Sequence, residues 1–192
     1  MVKNIKQDRV MIFIDGSNLY HGLKGNIGKT NIDLKKFANL LCGADRRLVH
    51  IHYYNVPINQ KEVPEGYAKQ QRFFSRLGNI PYFTLHLGRL VKRVKTEICP
   101  ACKTEFQKII HTEKGVDIQI ASHMSVYAYD NAYDVAILVS GDGDFVPVVE
   151  EVKRFGKIVE NAYFPQKPMS YLSRSCDKFI LLTKDFLSDC LI

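Results

Sequence analysis

An uninterrupted apolar run that ends in two acidic residues constrains this chain more than any other feature. Residues 135–139 read Val-Ala-Ile-Leu-Val, and Ser-Gly-Asp-Gly-Asp follows them. Because no polar residue alternates with the apolar ones, the run predicts a central strand covered on both faces, as in parallel sheets. A helical pattern then runs from Phe145 to Phe155. Asp142 and Asp144 are therefore expected where a strand ends and a helix begins, which is the edge at which α/β sheets bind ligands.

The same order of strand, carboxylate, glycine and helix occurs near the start of the chain. Residues 9–14 form a second apolar run, and Asp15-Gly16-Ser17-Asn18 follows it. We expect Ser17 to cap the helix that begins there. Strand and helix patterns alternate to the end of the chain, which predicts a doubly wound α/β fold with a mostly parallel sheet. No repeat or linker interrupts the sequence, so one domain is expected over residues 1–192.

A strongly basic segment interrupts this alternation, and we expect a β-hairpin insertion over about residues 86–112. Cys99 and Cys102, separated by Pro-Ala, lie at its expected tip. Their spacing is that of half a structural zinc site. Two alternatives are open: a Zn²⁺ site completed by His86, by His111 or by a second chain, and a metal-free turn with reduced thiols.

The composition favours a polyanionic partner. The net charge is +7, with 27 Lys and Arg against 20 Asp and Glu, and the neutralisation of phosphates supplies much of the affinity for nucleic acids. The five scattered cysteines do not suggest a disulfide framework, so reduced thiols and a cytoplasmic location are expected. No apolar run approaches the roughly 20 residues of a membrane span. The first residues also lack the apolar core of a secretory signal, so no membrane partner is expected.

Asp15, Asp142 and Asp144 are all expected at the carboxyl ends of parallel strands. Converging carboxylates without a basic partner repel one another, and a hard divalent cation relieves that repulsion. Oxygen ligands favour Mg²⁺ or Mn²⁺, and such an ion can activate water and neutralise charge on a scissile phosphate. Taken singly, each aspartate could instead be an ordinary turn or N-cap residue.

Asp117 is a fourth candidate, in the first turn of a helix predicted over residues 116–129. Helical spacing places it on the same apolar face as Ile120, Ala121 and Met124. A carboxylate on an inward face is costly unless it is paired, hydrogen-bonded or bound to a metal. We therefore expect Asp117 to project into the cleft above the sheet.

Three small polar residues are expected beside these carboxylates. They are Ser17, Asn18 and Ser140, and we predict that they contact the substrate. Asn18 could bond a carboxylate or a metal-bound water, and a local role in the turn is equally open for Asn18 and for Ser140. Four cations are candidates for phosphate contacts, or else ordinary solvated charges: Arg72, Arg76, Lys92 and Arg93.

Together, the acidic motifs resemble the NYN domain, in its bacterial LabA-like branch. The motifs are Phe-Ile-Asp-Gly-Ser-Asn-Leu-Tyr at residues 13–20, Lys-Gly-Val-Asp at 114–117 and Ser-Gly-Asp-Gly-Asp-Phe at 140–145. NYN domains belong to the PIN-like nuclease superfamily. The resemblance implies a PIN-like three-layer α/β/α fold and a ribonuclease centre that depends on Mg²⁺ or Mn²⁺.

The resemblance also implies roles for individual residues. Asp15, Asp117, Asp142 and Asp144 would hold the metal and, with Asn18, form the catalytic set. The expected reaction is metal-assisted hydrolysis of RNA without a covalent nucleophile, and the expected partner is single-stranded RNA. Two alternatives are open: a non-catalytic module that binds RNA or regulates, and a hydrolase of nucleotides or other small phosphoesters. PIN-like domains often pair, so a homodimer is a further expectation.

Overall fold

The computed structural model describes residues 7–165 and 171–192. Eight strands are present in these ranges: β1 (Arg9–Asp15), β2 (Arg47–Asn55), β3 (Phe83–Leu87), β4 (Arg89–Ile98), β5 (Glu105–Lys114), β6 (Val135–Val139), β7 (Ile158–Tyr163) and β8 (Lys178–Leu181). Six of them form one sheet in the order β3-β2-β1-β6-β7-β8, and every neighbouring pair in it is parallel. Strands β4 and β5 form a separate antiparallel hairpin.

Helices cover both faces of the sheet. They are α1 (Gly16–Gly22), α2 (Leu34–Cys42), α3 (Pro64–Leu77), α4 (Val116–Tyr129), α5 (Val146–Arg154) and α6 (Tyr171–Ser175), and a π-helical turn at Leu23–Ile27 extends α1. Helices α1 to α3 pack on one face, and α4 to α6 pack on the other. The predicted three-layer α/β fold is confirmed. Within the described ranges, none of the helices combines the length and the apolar character that crossing a membrane would require.

The packing of the two central strands, β1 and β6, explains why their sequences show no alternation of apolar and polar residues. On β1, Val10, Ile12 and Ile14 face helices α1 to α3, whereas Met11 and Phe13 face α4 to α6. Strand β6 alternates in the same way, so both runs are buried on both faces. The chain continues from β1 towards β3 on one side and from β6 towards β8 on the other. The crevice between β1 and β6 is therefore the topological switch point, where such sheets bind ligands.

The hairpin spans residues 89–114, whereas the sequence predicted about 86–112. The difference arises because β3 extends to Leu87 and pairs in parallel with β2, so that Tyr54 lies beside His86 and Asn55 beside Leu87. The backbone N–H of Gly88 then donates to the carbonyl oxygen of Asn55 at 2.8 Å. The hairpin therefore begins directly at the edge strand of the sheet.

Two sequence predictions fall partly outside the described residues. The first residues of the chain, up to residue 6, carried the prediction about a secretory signal. The sequence also predicts a short helix over residues 170–176; residue 170 lies outside the described residues, and the described part of the helix is α6, Tyr171–Ser175.

Four histidines from three elements pack together under helix α4: His50 and His52 on β2, His86 on β3 and His123 on α4. Nδ1 of His52 lies 3.0 Å from Nε2 of His86, and the rings of His86 and His123 are 4.6 Å apart. Burial and the neighbouring imidazoles lower the pKa of His52 to about 3 and that of His86 to about 4. These imidazoles are therefore neutral at neutral pH. The spacing of these four histidines in the sequence did not predict the group.

Candidate active site

A cleft of about 470 Å³ opens beside the carboxyl ends of β1 and β6. Its lining includes Asp15, Ser17, Asn18, Glu113, Asp117 and Asp142. Three of the four predicted aspartates therefore share one cavity, although they come from three different parts of the chain. Sequence reasoning did not single out Glu113, which ends in the cleft because β5 leads directly into α4.

Asp15 is the last residue of β1 and also the N-cap of α1. Its Oδ1 atom accepts a hydrogen bond from the backbone N–H of Asn18 at 3.0 Å. The prediction that Ser17 caps this helix is therefore wrong, because the helix begins at Gly16, two residues earlier than a cap at Ser17 implies. Ser17 instead lies half-buried in the lining of the cleft.

Gly16 allows α1 to begin directly against strand β2. A Cβ atom at this position would lie 2.6 Å from the carbonyl oxygen of Tyr54 and 2.6 Å from the ring of Tyr53. No larger residue fits without moving backbone, so the glycine keeps the Asp15 cap tight against the sheet.

Asp15 is the most buried of the four aspartates, with 7% of its surface exposed. Its pKa is raised to about 6, chiefly by burial and in part by the negative charges of Asp117 and Glu113. The N–H of Asn18 and the hydroxyl of Ser140 act in the opposite direction, because they donate to the ionised form. The carboxylates of the cleft are thus close enough to influence one another's ionisation.

Asn18, at the start of α1, and Ser140, after β6, connect the β1–α1 junction with the turn after β6. Oδ1 of Asn18 accepts from the backbone N–H of Gly141 at 3.0 Å. The buried hydroxyl of Ser140 donates to Oδ2 of Asp15 at 3.3 Å and accepts from the N–H of Asp142 at 3.2 Å. Of the two roles left open by the sequence, these contacts correspond to a structural one. The bonds of Asn18 to Gly141 and of Ser140 to Asp15 cross between loops, whereas the bond of Ser140 to Asp142 lies within one turn.

Asn161 on β7 supports the same turn from beneath and was not foreseen from the sequence. Its fully buried Nδ2 donates to the carbonyl oxygens of Leu138 at 3.0 Å and of Ser140 at 2.8 Å. Its Oδ1 accepts from the hydroxyl of Ser173 at 2.7 Å. Asn161 follows Glu160 at the centre of a strand whose other residues are apolar or aromatic, and this was the available signal, since buried polar residues must find partners.

Asp117 lies in the first turn of α4, after Gly115, which adopts the positive φ of 91°. Ile120 and Met124 are fully buried as predicted, but Asp117 itself is exposed at the rim of the cleft. The helical period correctly predicted the side of the helix on which Asp117 lies. The first turn of α4 extends beyond the apolar core, however, so the carboxylate is exposed. Partial burial raises the pKa of Asp117, as do Asp142 and Asp144, and Lys114 lowers it.

Asp142 and Asp144 differ in position. Asp142 lines the cleft, and its Oδ1 accepts from the N–H of Asp144 at 2.9 Å as the cap of a short 3-10 turn, Gly143–Phe145. Asp144 is exposed and is not part of the lining. Its charge still contributes to the raised pKa of Asp117.

The four predicted phosphate-binding cations are exposed and do not line the cleft. Arg72 and Arg76 lie towards the end of α3, which packs on the face of the sheet opposite to α4. Lys92 and Arg93 lie on β4 in the hairpin. The structure therefore does not bring these four residues together.

The donor chemistry of the cleft fits a hard divalent cation, although its geometry is loose. In the described part of the chain, no three His, Cys, Asp or Glu side chains are placed to hold a single ion. Mg²⁺ commonly keeps several waters and binds through only one or two carboxylates, so three direct ligands are not required. The mutual repulsion that raises the pKa of Asp15 and Asp117 is what a cation would relieve.

Cys99 and Cys102 are free thiols in the turn between β4 and β5. Neither predicted histidine joins them: His86 belongs to the sheet, and His111 pairs with Lys92 and contacts Glu62 at 3.3 Å. His111 is six residues along β5 from the tip-proximal Glu105, which is about 20 Å. A zinc site at this pair would thus need ligands from elsewhere than these histidines.

Comparisons with known proteins agree with this architecture. The family model of the NYN domain matches residues 9–183. The chain is also similar to a solved structure described as a protein of unknown function, VPA0982, from Vibrio parahaemolyticus RIMD 2210633. The TM-score is 0.68 at 23% sequence identity, with 97% of this chain and 99% of that chain covered, which supports the fold alone. None of the curated proteins matches the chain.

Proposed function

Because the chain belongs to the NYN domain family, within the PIN-like nucleases, we propose that it is a divalent-metal-dependent ribonuclease that hydrolyses single-stranded RNA. The observation that carries this proposal is the convergence of Asp15, Asp117 and Asp142 on one cleft at the switch point of a parallel sheet. The LabA-like branch and a cytoplasmic location belong to the same proposal. The five free thiols support a reducing compartment.

Asp15, Asp117 and Asp142 would hold Mg²⁺ or Mn²⁺, with Asp144 contributing charge from outside the lining. Bound there, the ion would supply a water of lowered pKa and neutralise charge on the scissile phosphate. The protein's part is to orient the carboxylates. The N–H of Asn18 and the hydroxyl of Ser140 fix the two oxygens of Asp15. With a pKa of about 6, Asp15 would give up its remaining proton when a cation binds.

The polar residues of the cleft divide into two roles in this proposal. Ser17 is assigned to substrate contact, because it lines the cleft and does not cap the helix. Asn18 and Ser140 are assigned to positioning, because their side chains are bonded to Gly141, Asp15 and Asp142.

A cleavage assay on single-stranded RNA with Mg²⁺ or Mn²⁺ tests the proposal. The wild type should cleave, and Asp15→Asn and Asp142→Asn should lose at least about 100-fold, as expected for loss of metal-centred charge stabilisation. Asp130→Asn is the matched control, because this exposed residue follows the far end of α4, about 20 Å from Asp117. It should retain wild-type activity.

Two outcomes would overturn the proposal in favour of an alternative. RNA binding without cleavage, equal in the wild type and both active-site variants, would indicate a non-catalytic RNA-binding module. Turnover of mononucleotides without any preference for polymer would indicate a small-phosphoester hydrolase.

A further inference from the structure

We propose that one face of the β4–β5 hairpin binds the backbone of a single-stranded nucleic acid and guides it to the acidic cleft. We call it the basic face, and it consists of Arg89, Arg93, Lys95, Lys108 and Lys114. The inference rests on the proposed function insofar as the bound strand is the substrate, but the binding surface is argued from the hairpin alone.

Strand register places these five cations on one side of the hairpin. Residues directly opposite each other in an antiparallel pair share a face, and alternate residues along a strand change face. Arg89 is opposite Lys114, and Lys95 is opposite Lys108. Arg93 lies between these two pairs, and all five side chains are exposed. The face carries one carboxylate, Glu97, which contacts Lys95 at 3.2 Å.

The opposite face has a different character. Lys92 is its one Lys or Arg, and Glu105 and Glu113 lie on the same side. Its exposed apolar residues are Val94, Ile98 and Ile109. Lys92 and Arg93 are neighbours in sequence, yet they point to opposite sides of the hairpin. The positive charge is therefore segregated by face rather than distributed along the segment.

Two features of the basic face indicate that it binds a row of phosphates rather than only facing solvent. Like charges directly opposite each other in a sheet are destabilising, and the face contains two such pairs, Arg89–Lys114 and Lys95–Lys108. An anionic backbone would relieve this repulsion while it releases its counterions. Phe106 shares the face and is 46% exposed, and an exposed aromatic ring among cations is a stacking platform for a base.

The basic face begins next to the cleft. Its last residue, Lys114, follows Glu113, which lines the cleft, and lies three positions before Asp117, which lines it too. Each strand has ten residues, so the face is roughly 30 Å long, which is enough for several nucleotides. An anionic bilayer fits less well, because the exposed residues Val94, Ile98 and Ile109 lie on the side away from the cations.

The test is a salt titration of RNA affinity with the full chain. Every variant carries Asp15→Asn and is measured in EDTA, so that no RNA is cleaved. The probe is a fluorescent oligouridylate long enough to span cleft and hairpin. Each phosphate contact contributes about 0.7 to the slope of log affinity against log salt for single strands. Lys95→Gln with Lys108→Gln should therefore reduce the slope by about 1.4 and weaken binding by about tenfold or more at low salt.

The matched controls use the two neighbouring cations of β4. Arg93→Gln should lower the slope by about 0.7, whereas Lys92→Gln should leave it unchanged. Equal effects of Arg93→Gln and Lys92→Gln, or no effect of the double variant, would overturn the inference, as would absence of RNA binding by the parent protein. Binding to phosphatidylserine vesicles but not to RNA, with the same dependence on the basic face, would assign the surface to a membrane instead.

These outcomes are distinguishable from failure of the proposed function. If the wild type binds RNA through the basic face but never cleaves it, the ribonuclease proposal fails and the binding surface stands. If the wild type cleaves RNA while the hairpin variants bind RNA as the parent does, the ribonuclease proposal stands and the proposed binding surface fails.

Discussion

The Oγ atom of Ser140 lies 3.3 Å from Oδ2 of Asp15, and this contact joins residues that are 125 positions apart in the chain. The same hydroxyl accepts from the backbone N–H of Asp142. It thus connects the most buried carboxylate of the cleft to the loop that carries another. Strands β1 and β6 pair in parallel, with Ile14 beside Val139. The next residues of the two strands, Asp15 and Ser140, therefore lie close to each other.

Replacing Ser140 by alanine should therefore loosen the site without unfolding the protein. We expect a loss of about 1 kcal/mol in the free energy of unfolding, with Asp15 losing a hydrogen bond that lowers its pKa. Metal affinity should accordingly weaken most below neutral pH. Urea unfolding and calorimetric Mn²⁺ titrations at several pH values measure both effects. Ser175→Ala, at a half-buried position on α6 outside the lining of the cleft, is the control, and equal behaviour of the two variants would contradict the assignment.

Asp15→Asn should make the metal-free protein more stable. Burial raises the pKa of Asp15 from 3.8 to about 6, so above that pH the ionised carboxylate is less favourable in the folded state than in the unfolded one. The penalty is at most about 3 kcal/mol and disappears as the pH falls through 6 towards 4. Urea unfolding in EDTA at pH 8 should show the gain.

The same experiment at acidic pH supplies the internal control for Asp15. The stability difference between wild type and Asp15→Asn should shrink as the wild-type carboxyl becomes protonated. A variant that is less stable than the wild type at pH 8 would show that the carboxylate supports the fold rather than straining it.

Asn161→Leu should destabilise the turn after β6, because it removes the hydrogen bonds that this buried amide makes to Leu138, Ser140 and Ser173. We expect a loss of about 2 to 4 kcal/mol, together with a fall in cleavage as Ser140 and Asp142 move. Adding Ser173→Ala should recover part of the stability, since that hydroxyl would no longer be buried without its partner. Chemical denaturation of the single and double variants measures the coupling, and strictly additive losses would contradict it.

Acid should destabilise the protein through the histidine group. The pKa of His52 is lowered from 6.5 to about 3, and that of His86 from 6.5 to about 4. Below pH 6.5 the unfolded state therefore binds protons that the folded state does not bind. Each histidine should contribute a loss of about 1.4 kcal/mol per pH unit, which begins near 6.5. The raised pKa of Asp15 offsets part of this below pH 6.

His52→Phe should flatten that acid dependence, because the ring stacking on Phe13 and Tyr127 is kept while the titrating group is removed. Urea unfolding between pH 8 and pH 5 gives the slope for each protein. A variant with the wild-type slope would show that His52 takes up its proton in the folded state as readily as in the unfolded one.

The strand–helix order and the meeting of Asp15 with Asp142 were predictable because they follow from one rule. Buried apolar runs predict parallel strands, and the carboxyl ends of parallel strands lie at the same edge of the sheet. The position of Asp117 was harder, since helical periodicity gives a direction but not the point where the sheet beneath ends. Asn18 was ambiguous for a similar reason: its partner, Gly141, is more than 100 residues away in sequence.

The histidine group and the basic face depend on register, which single stretches of sequence do not reveal. His52 and His86 meet because β2 and β3 pair in parallel with Tyr54 beside His86. Lys92 and Arg93 separate because β4 is extended, and only the pairing with β5 shows which other cations join each of them. Both features combine side chains from different elements, so the spacing within a single strand does not reveal them.

The exposed turn between β4 and β5 divides the acidic set into two portions. Asp15 precedes it, whereas Asp117 and Asp142 follow it, so cleavage of the backbone between Pro100 and Ala101 would leave neither fragment with the full complement of carboxylates. Reassociation of the two fragments through β1 and β6 would restore it. The topology thus makes this protein a natural candidate for a split protein, whose acidic cleft is complete only when the two pieces are brought together.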